Sequence, residues 1–167
     1  MSALAILFST FLSSALAADP CRGVKEISDP FSGTVRGAVV RLDLVGYSQI
    51  ALVQDDKGER VEVVFPQGGA SNFIYPPGTR LRLAMADGTV LELSTDRDAP
   101  PHVNAQQGTI YTQWQLVAPV PASSAGALAG AAISAVRVGD DGSPVSYRVS
   151  ERDGQKLQDA ARCLAGG

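Results

Sequence analysis

Two cysteines stand near opposite ends of this chain, Cys21 and Cys163. If they pair, the two ends must meet, and any fold that holds them more than about 7 Å apart is excluded. Pairing depends on compartment, because disulfides persist outside the reducing cytoplasm. The N-terminus bears on that question. Residues 3–12 read Ala-Leu-Ala-Ile-Leu-Phe-Ser-Thr-Phe-Leu, an apolar run shorter than the roughly 20 residues a bilayer needs. Small residues follow, and Ala15 and Ala17 form the A-x-A pattern of signal-peptide cleavage. Residues 1–17 therefore read as a signal peptide cut after Ala17, and residues 18–167 as a single β domain, expected in the periplasm or outside the cell. No Lys or Arg precedes the apolar run, so either the positive end is minimal or the true start lies upstream of Met1. Asp19-Pro20 before Cys21 does not suit a lipoprotein cleavage site, and no later stretch has membrane-spanning length.

In an oxidising compartment two cysteines allow one intramolecular bond, Cys21–Cys163. The alternatives are a reactive thiol pair or a metal site, and a metal would want more ligands than these two and the lone His102. Closing nearly the whole domain into one loop stabilises it by up to about 5 kcal/mol.

Between the cysteines the apolar residues recur at every second position, the strand signal. Residues 18–31, with Pro20 and Pro30 and no period, read as an irregular strap. Ala38, Val40, Leu42 and Leu44 then share one face against Arg41 and Asp43; Val35 is out of phase, and Gly37 at the switch suggests a bulge or bend. A hairpin follows around Asp55-Asp56-Lys57-Gly58, where a four-residue loop opposes Leu52 to Val61 and Ile50 to Val63. A second hairpin turns at Asp87-Gly88. A three-residue loop, Ala86-Asp87-Gly88, opposes Leu83 to Leu91, Leu81 to Leu93 and Arg82 to Glu92, which satisfies both faces; a two-residue loop would mix them.

Residues 66–79 read as a long loop carrying Phe73, Ile74 and Tyr75, and residues 95–107 as a polar loop carrying Asp96, Asp98 and His102. Ile110, Thr112, Trp114 and Leu116 alternate along another strand. The Ala-rich segment 119–130 is a short helix from about 122 to 129 or a connection, with Ala propensity opposed by Gly126. Strands are expected over 133–138 and 145–149. Ser150 caps a final helix whose stripe is Leu157, Ala160, Ala161 and Leu164, with Asp153 in its first turn. Seven or eight strands and one terminal helix predict a mainly antiparallel β domain, a sandwich first and a small OB-like barrel second.

This order resembles small secreted or periplasmic bacterial β-domain proteins of unknown function. The resemblance rests on Ser32-Gly33-x-Val35, on Leu81-Arg82-Leu83 with Asp87-Gly88 and Leu93, on Ile133-x-x-Val136-Arg137-Val138, and on Ala160-Ala161-Arg162-Cys163-Leu164. It implies export and a β fold, and brings no activity, cofactor or site residue with it.

The residues themselves carry little chemistry. With 14 Lys and Arg interspersed among 17 Asp and Glu, there is no basic stripe for nucleic acid and no polybasic membrane patch. His102 is the sole histidine, no G-x-S-x-G or S-x-x-K occurs, and no glycine-rich phosphate loop is present. Asp55-Asp56 and Asp140-Asp141 sit in turns, where Asp is favoured for backbone reasons. Thr95-Asp96-Arg97-Asp98 offers calcium only two carboxylates with an Arg between. No cofactor or metal is expected. The reading is a non-catalytic binding or interaction module of the bacterial cell envelope. Its partner would be an envelope protein or ligand, met at Phe73, Ile74 and Tyr75, because loops on a rigid sheet often carry binding residues. The competing reading of that triplet is a core lid or edge strand. Two other function classes stay open: a carrier of a small apolar ligand beside Trp114, and a hydrolase using His102 with Asp96 or Asp98.

Overall fold

A computed structural model describes residues 19–29, 33–42, 47–106, 108–140, 142 and 144–166. The expected signal peptide lies outside these residues, as do Asp43 and Leu44 of the first expected strand. In chain order the described elements are a 3₁₀ turn (Pro20–Gly23), β1 (Lys25–Asp29), β2 (Gly33–Arg41), β3 (Gln49–Asp55), β4 (Gly58–Gly68), β5 (Arg80–Met85) and β6 (Val90–Ser94). There follow β7 (His102–Gln106), β8 (Thr109–Pro119), α1 (Ala122–Gly130), β9 (Ile133–Val138), β10 (Val145–Arg148) and α2 (Glu151–Ala165). They form two antiparallel sheets, one of six strands in the order β1-β2-β3-β4-β8-β7 and one of four in the order β10-β9-β5-β6. The sheets do not close into a barrel; the architecture is a β-sandwich with helices.

Both hairpins have the register that their alternation demands. Leu52 opposes Val61 and Ile50 opposes Val63, and the ladder runs on to Asp55 opposite Gly58, so the connection itself is only Asp56-Lys57. Gly58 has φ 117°, a backbone shape glycine adopts without strain. In the second hairpin Leu83 opposes Leu91, Leu81 opposes Leu93 and Arg82 opposes Glu92. Its loop is the three residues Ala86-Asp87-Gly88, with Gly88 left-handed at φ 87°.

Four expectations are corrected. Residues 25–29 are not an irregular strap but β1, paired with β2 from Lys25–Gly37 to Asp29–Gly33. All of β1 whose side chains are described is exposed, so it needs no apolar alternation. Residues 102–106 are not loop but β7, the opposite edge of the same sheet, paired with β8. Gly37 makes no bulge: the β2–β3 register runs unbroken past it, and a Cβ there would stand 2.6 Å from the Leu52 carbonyl oxygen. The close approach of β3, not a shift in pairing, is what calls for glycine. Finally, residues 66–68 extend β4, which shortens the loop before β5.

The core has one side chain set from each layer. Val61, Val63 and Phe65 of β4 and Trp114 and Leu116 of β8 face Leu81 and Leu83 of β5 and Val136 and Val138 of β9, all buried. Helix α2 packs against β2, β3, β9 and α1. Its stripe Leu157, Ala160, Ala161 and Leu164 is buried, and each leucine so removed from water contributes about 1.5–3 kcal/mol. Ser150 caps the helix as expected: its Oγ accepts from the Asp153 N–H at 3.2 Å and donates to the Asp153 carboxylate at 2.6 Å. The Ala-rich segment is a helix, α1, which buries Leu128 and takes two hydrogen bonds from α2 at the Ala129 carbonyl, from Gln158 and Arg162. Cys163 projects beside the stripe to Cys21 of the 3₁₀ turn, closing the disulfide with 5.1 Å between Cα atoms.

Candidate functional site

Phe73, Ile74 and Tyr75 lie between β4 and β5, and the structure divides them. Phe73 is 54% exposed and Ile74 50%, whereas Tyr75 is half-buried. Backbone bonding explains the division. Tyr75 pairs with Ala99 in an isolated bridge, with N–H to O distances of 3.2 and 2.9 Å in the two directions. Its ring meets Phe65 at 5.7 Å and Trp114 at 5.6 Å, both edge-on, and Phe73 at 4.8 Å. Burial, and after it the neighbouring Tyr147, pushes the Tyr75 phenol up from its usual pKa. Tyr75 is thus packed against the core at the base of the loop, while Phe73 and Ile74 stand out from it.

The loop is fixed from below, although it has little regular structure. Trp114 Nε1 donates to the Phe73 carbonyl at 2.9 Å. The hydroxyl of Thr112, itself buried, accepts from the Ser71 N–H at 2.9 Å and donates to the Gly69 carbonyl at 2.8 Å. The carbonyl of Pro76 accepts from the hydroxyls of Thr79 and Thr95, at 2.6 and 3.1 Å. Polar backbone groups of this segment are therefore paired rather than left to solvent, which fixes the loop backbone at Gly69, Ser71 and Phe73, while the Phe73 ring itself rests on Tyr75.

Phe73 and Tyr75 wall a cleft of about 620 Å³ with Pro76, Pro77, Gly139 and Asp140, and Gln67, Thr79 and Val145 also line it. The cleft is open to solvent and mixes aromatic and proline surface with the polar groups of Gln67, Thr79 and Asp140. Its far wall was not identified from sequence. It comes from the β9–β10 connection, which the β5–β9 pairing brings beside the start of β5: Gly139 N–H donates to the Arg80 carbonyl at 2.9 Å, and Arg80 bridges Asp140 at 3.0 Å. Pro76-Pro77 was the one local signal, a rigid stretch next to the aromatic triplet.

The other sequence candidates do not converge. His102 is exposed at the start of edge strand β7. Asp96 is held by Arg97, whose guanidinium donates to both carboxylate oxygens at 2.7 and 2.9 Å and keeps that carboxyl below its usual pKa. Among the described residues no hydrogen bond or ion pair joins His102 to Asp96 or Asp98. Trp114 is 1% exposed, stacked on Phe65 at 5.7 Å and perpendicular to the ring of Tyr75 at 5.6 Å. No cluster of three or more His, Cys, Asp or Glu suited to a metal occurs among the described residues. A separate ionic cluster joins Asp55, Arg60 and Glu62 on the outer face of the large sheet, with Gln115 donating to Glu62 at 3.0 Å.

Fold and cleft together define a class: a β-sandwich whose ends are joined by a disulfide and whose loops form a ligand-sized cleft at the edge of the core. No family model matches this chain, and neither does a curated protein or a solved structure.

Proposed function

We propose that this protein is an exported, non-catalytic binding module that takes its ligand in the cleft beneath Phe73. The observation that carries the reading is the loop itself. An exposed aromatic ring and an exposed isoleucine sit on a loop whose backbone is tied to Trp114 and Thr112 by part-buried hydrogen bonds, an arrangement that presents apolar surface with less backbone entropy to lose on binding. Aromatic anchors in such positions often supply 2 kcal/mol or more of binding energy. Export is supported by the A-x-A pattern at Ala15 and Ala17 and by the disulfide, which suits an oxidising compartment. No helix of the described residues is long and apolar enough to cross a membrane.

Trp114 is the only tryptophan of the chain and sits under the cleft wall, so its fluorescence reports on occupancy. Envelope extract fractions and small-molecule pools titrated onto the oxidised protein should change that emission saturably. A Phe73→Ala, Ile74→Ala double variant should remain folded and lose the response. Retained binding by a folded double variant would overturn the reading.

A further inference from the structure

We propose that the outer face of the four-stranded sheet docks an anionic polysaccharide along a diagonal track of four arginines. Register alone lays out the track. On β5, Arg80 and Arg82 are two residues apart on one face. Arg82 opposes Arg137 of β9, and Ser146 of β10 lies next in the same row. Arg148 of β10 opposes Ala135, two residues from Arg137. Successive arginines thus step across three strands in one direction, their Cα atoms roughly 5 to 8 Å apart by sheet geometry.

Among the described residues of this face Arg80 is bridged to Asp140 and Arg82 lies opposite Glu92, so the excess positive charge rests on the exposed Arg137 and Arg148, in a chain whose 17 acids outnumber its 14 bases. Its sign is therefore opposite to that of the molecule, which orients an approaching polyanion toward it. Backbone and hydroxyl acceptors aim the side chains: Arg82 donates to the Gly139 carbonyl at 3.4 Å and Arg137 to Ser146 Oγ at 3.2 Å. Between them is a shallow depression of about 300 Å³ with Ala84 and Ala135 in its lining and Val90, 63% exposed, beside them. Small side chains there let a polymer backbone lie close while its carboxylates reach the guanidiniums on either side.

A uronate polymer, with one carboxylate per sugar, matches a row of spaced single charges. Single-stranded nucleic acid fits less well, because it is held largely by stacking and the described residues of this face include no aromatic ring. The test uses the oxidised protein with polygalacturonate, with dextran as the uncharged control. Polygalacturonate should bind at low ionic strength and weaken steeply with salt, and dextran should not bind. An Arg137→Gln, Arg148→Gln variant should bind about tenfold more weakly, with a shallower salt dependence and an unchanged melting temperature. An Arg41→Gln, Arg97→Gln variant, which removes the same charge from the other sheet and from an exposed loop, should stay within about twofold of wild type. The proposal is overturned by absence of polygalacturonate binding, by equal losses in the two variants, or by tighter binding of an oligodeoxynucleotide of matched charge. The Phe73→Ala, Ile74→Ala variant should retain full polygalacturonate binding, which separates this face from the cleft.

Discussion

The indole N–H of Trp114 in β8 donates to the carbonyl of Phe73, 41 residues earlier, at 2.9 Å. A buried ring thereby fixes the backbone of an exposed residue, and the triplet Phe73-Ile74-Tyr75 splits into two roles. Tyr75→Ala should destabilise the fold by about 2 kcal/mol or more, because its ring packs against Phe65 and Trp114. Phe73→Ala should cost no more than about 1 kcal/mol, for its edge contact with Tyr75, and Ile74→Ala less than about 0.5 kcal/mol. Urea denaturation of the three single variants checks this, and similar losses in all three would mean that the whole loop is core.

Cys21 and Cys163 should yield no free thiol in the unfolded, unreduced protein, since they form one disulfide across a separation of 142 residues. Reducing it should lower stability by up to about 5 kcal/mol. Thermal melts with and without a reductant measure the loss, and superimposable melts would show the bond to be energetically idle.

Glu59 has a carboxylate oxygen that is buried without a hydrogen-bond partner, and burial raises its pKa above the ordinary 4.5. Between 4.5 and the raised folded value the unfolded chain has released this proton while the folded one retains it. Stability therefore falls as pH rises through that window, and the loss persists above it. Glu59→Gln should raise the melting temperature at neutral pH and leave it unchanged below the window. A lower melting temperature at neutral pH would show that the charge is compensated.

Gly154 lies inside α2, where alanine is ordinarily preferred by about 1 kcal/mol. Here a Cβ would stand 2.3 Å from the Ile133 carbonyl oxygen of β9, so the helix would have to move off the sheet. Gly154→Ala should cost about 1–3 kcal/mol despite its propensity. Gly126→Ala in α1, where a Cβ meets nothing within 4 Å, should be neutral or stabilising. Chemical denaturation of the pair separates close approach from propensity.

Export with cleavage after Ala17 gives a protein whose first residue is Ala18. Intact mass of material recovered outside the cytoplasm reads this directly, and a mass that still includes Met1 to Ala17 would refute it.

Local rules made part of this molecule legible. The pairings of Leu52 with Val61 and Leu83 with Leu91 follow from a period of two and a short turn, because slipping by one residue would turn each apolar set to water. Ser150 as a cap, the α2 stripe and the single possible cysteine pair are equally local or combinatorial. Tertiary structure decided the remainder. Strands β1 and β7 lie at the edges of the large sheet, where the backbone ladder of a neighbour defines the strand, so their sequences carry no clear apolar alternation. The separation of Tyr75 from Phe73 depends on Ala99 and Trp114, and the far wall of the cleft depends on Asp140, all distant in the chain. The arginine track depends on the β5–β9 register, a pairing across some fifty residues that no turn specifies, so alternation within each strand could place its charges outward but could not align them with one another.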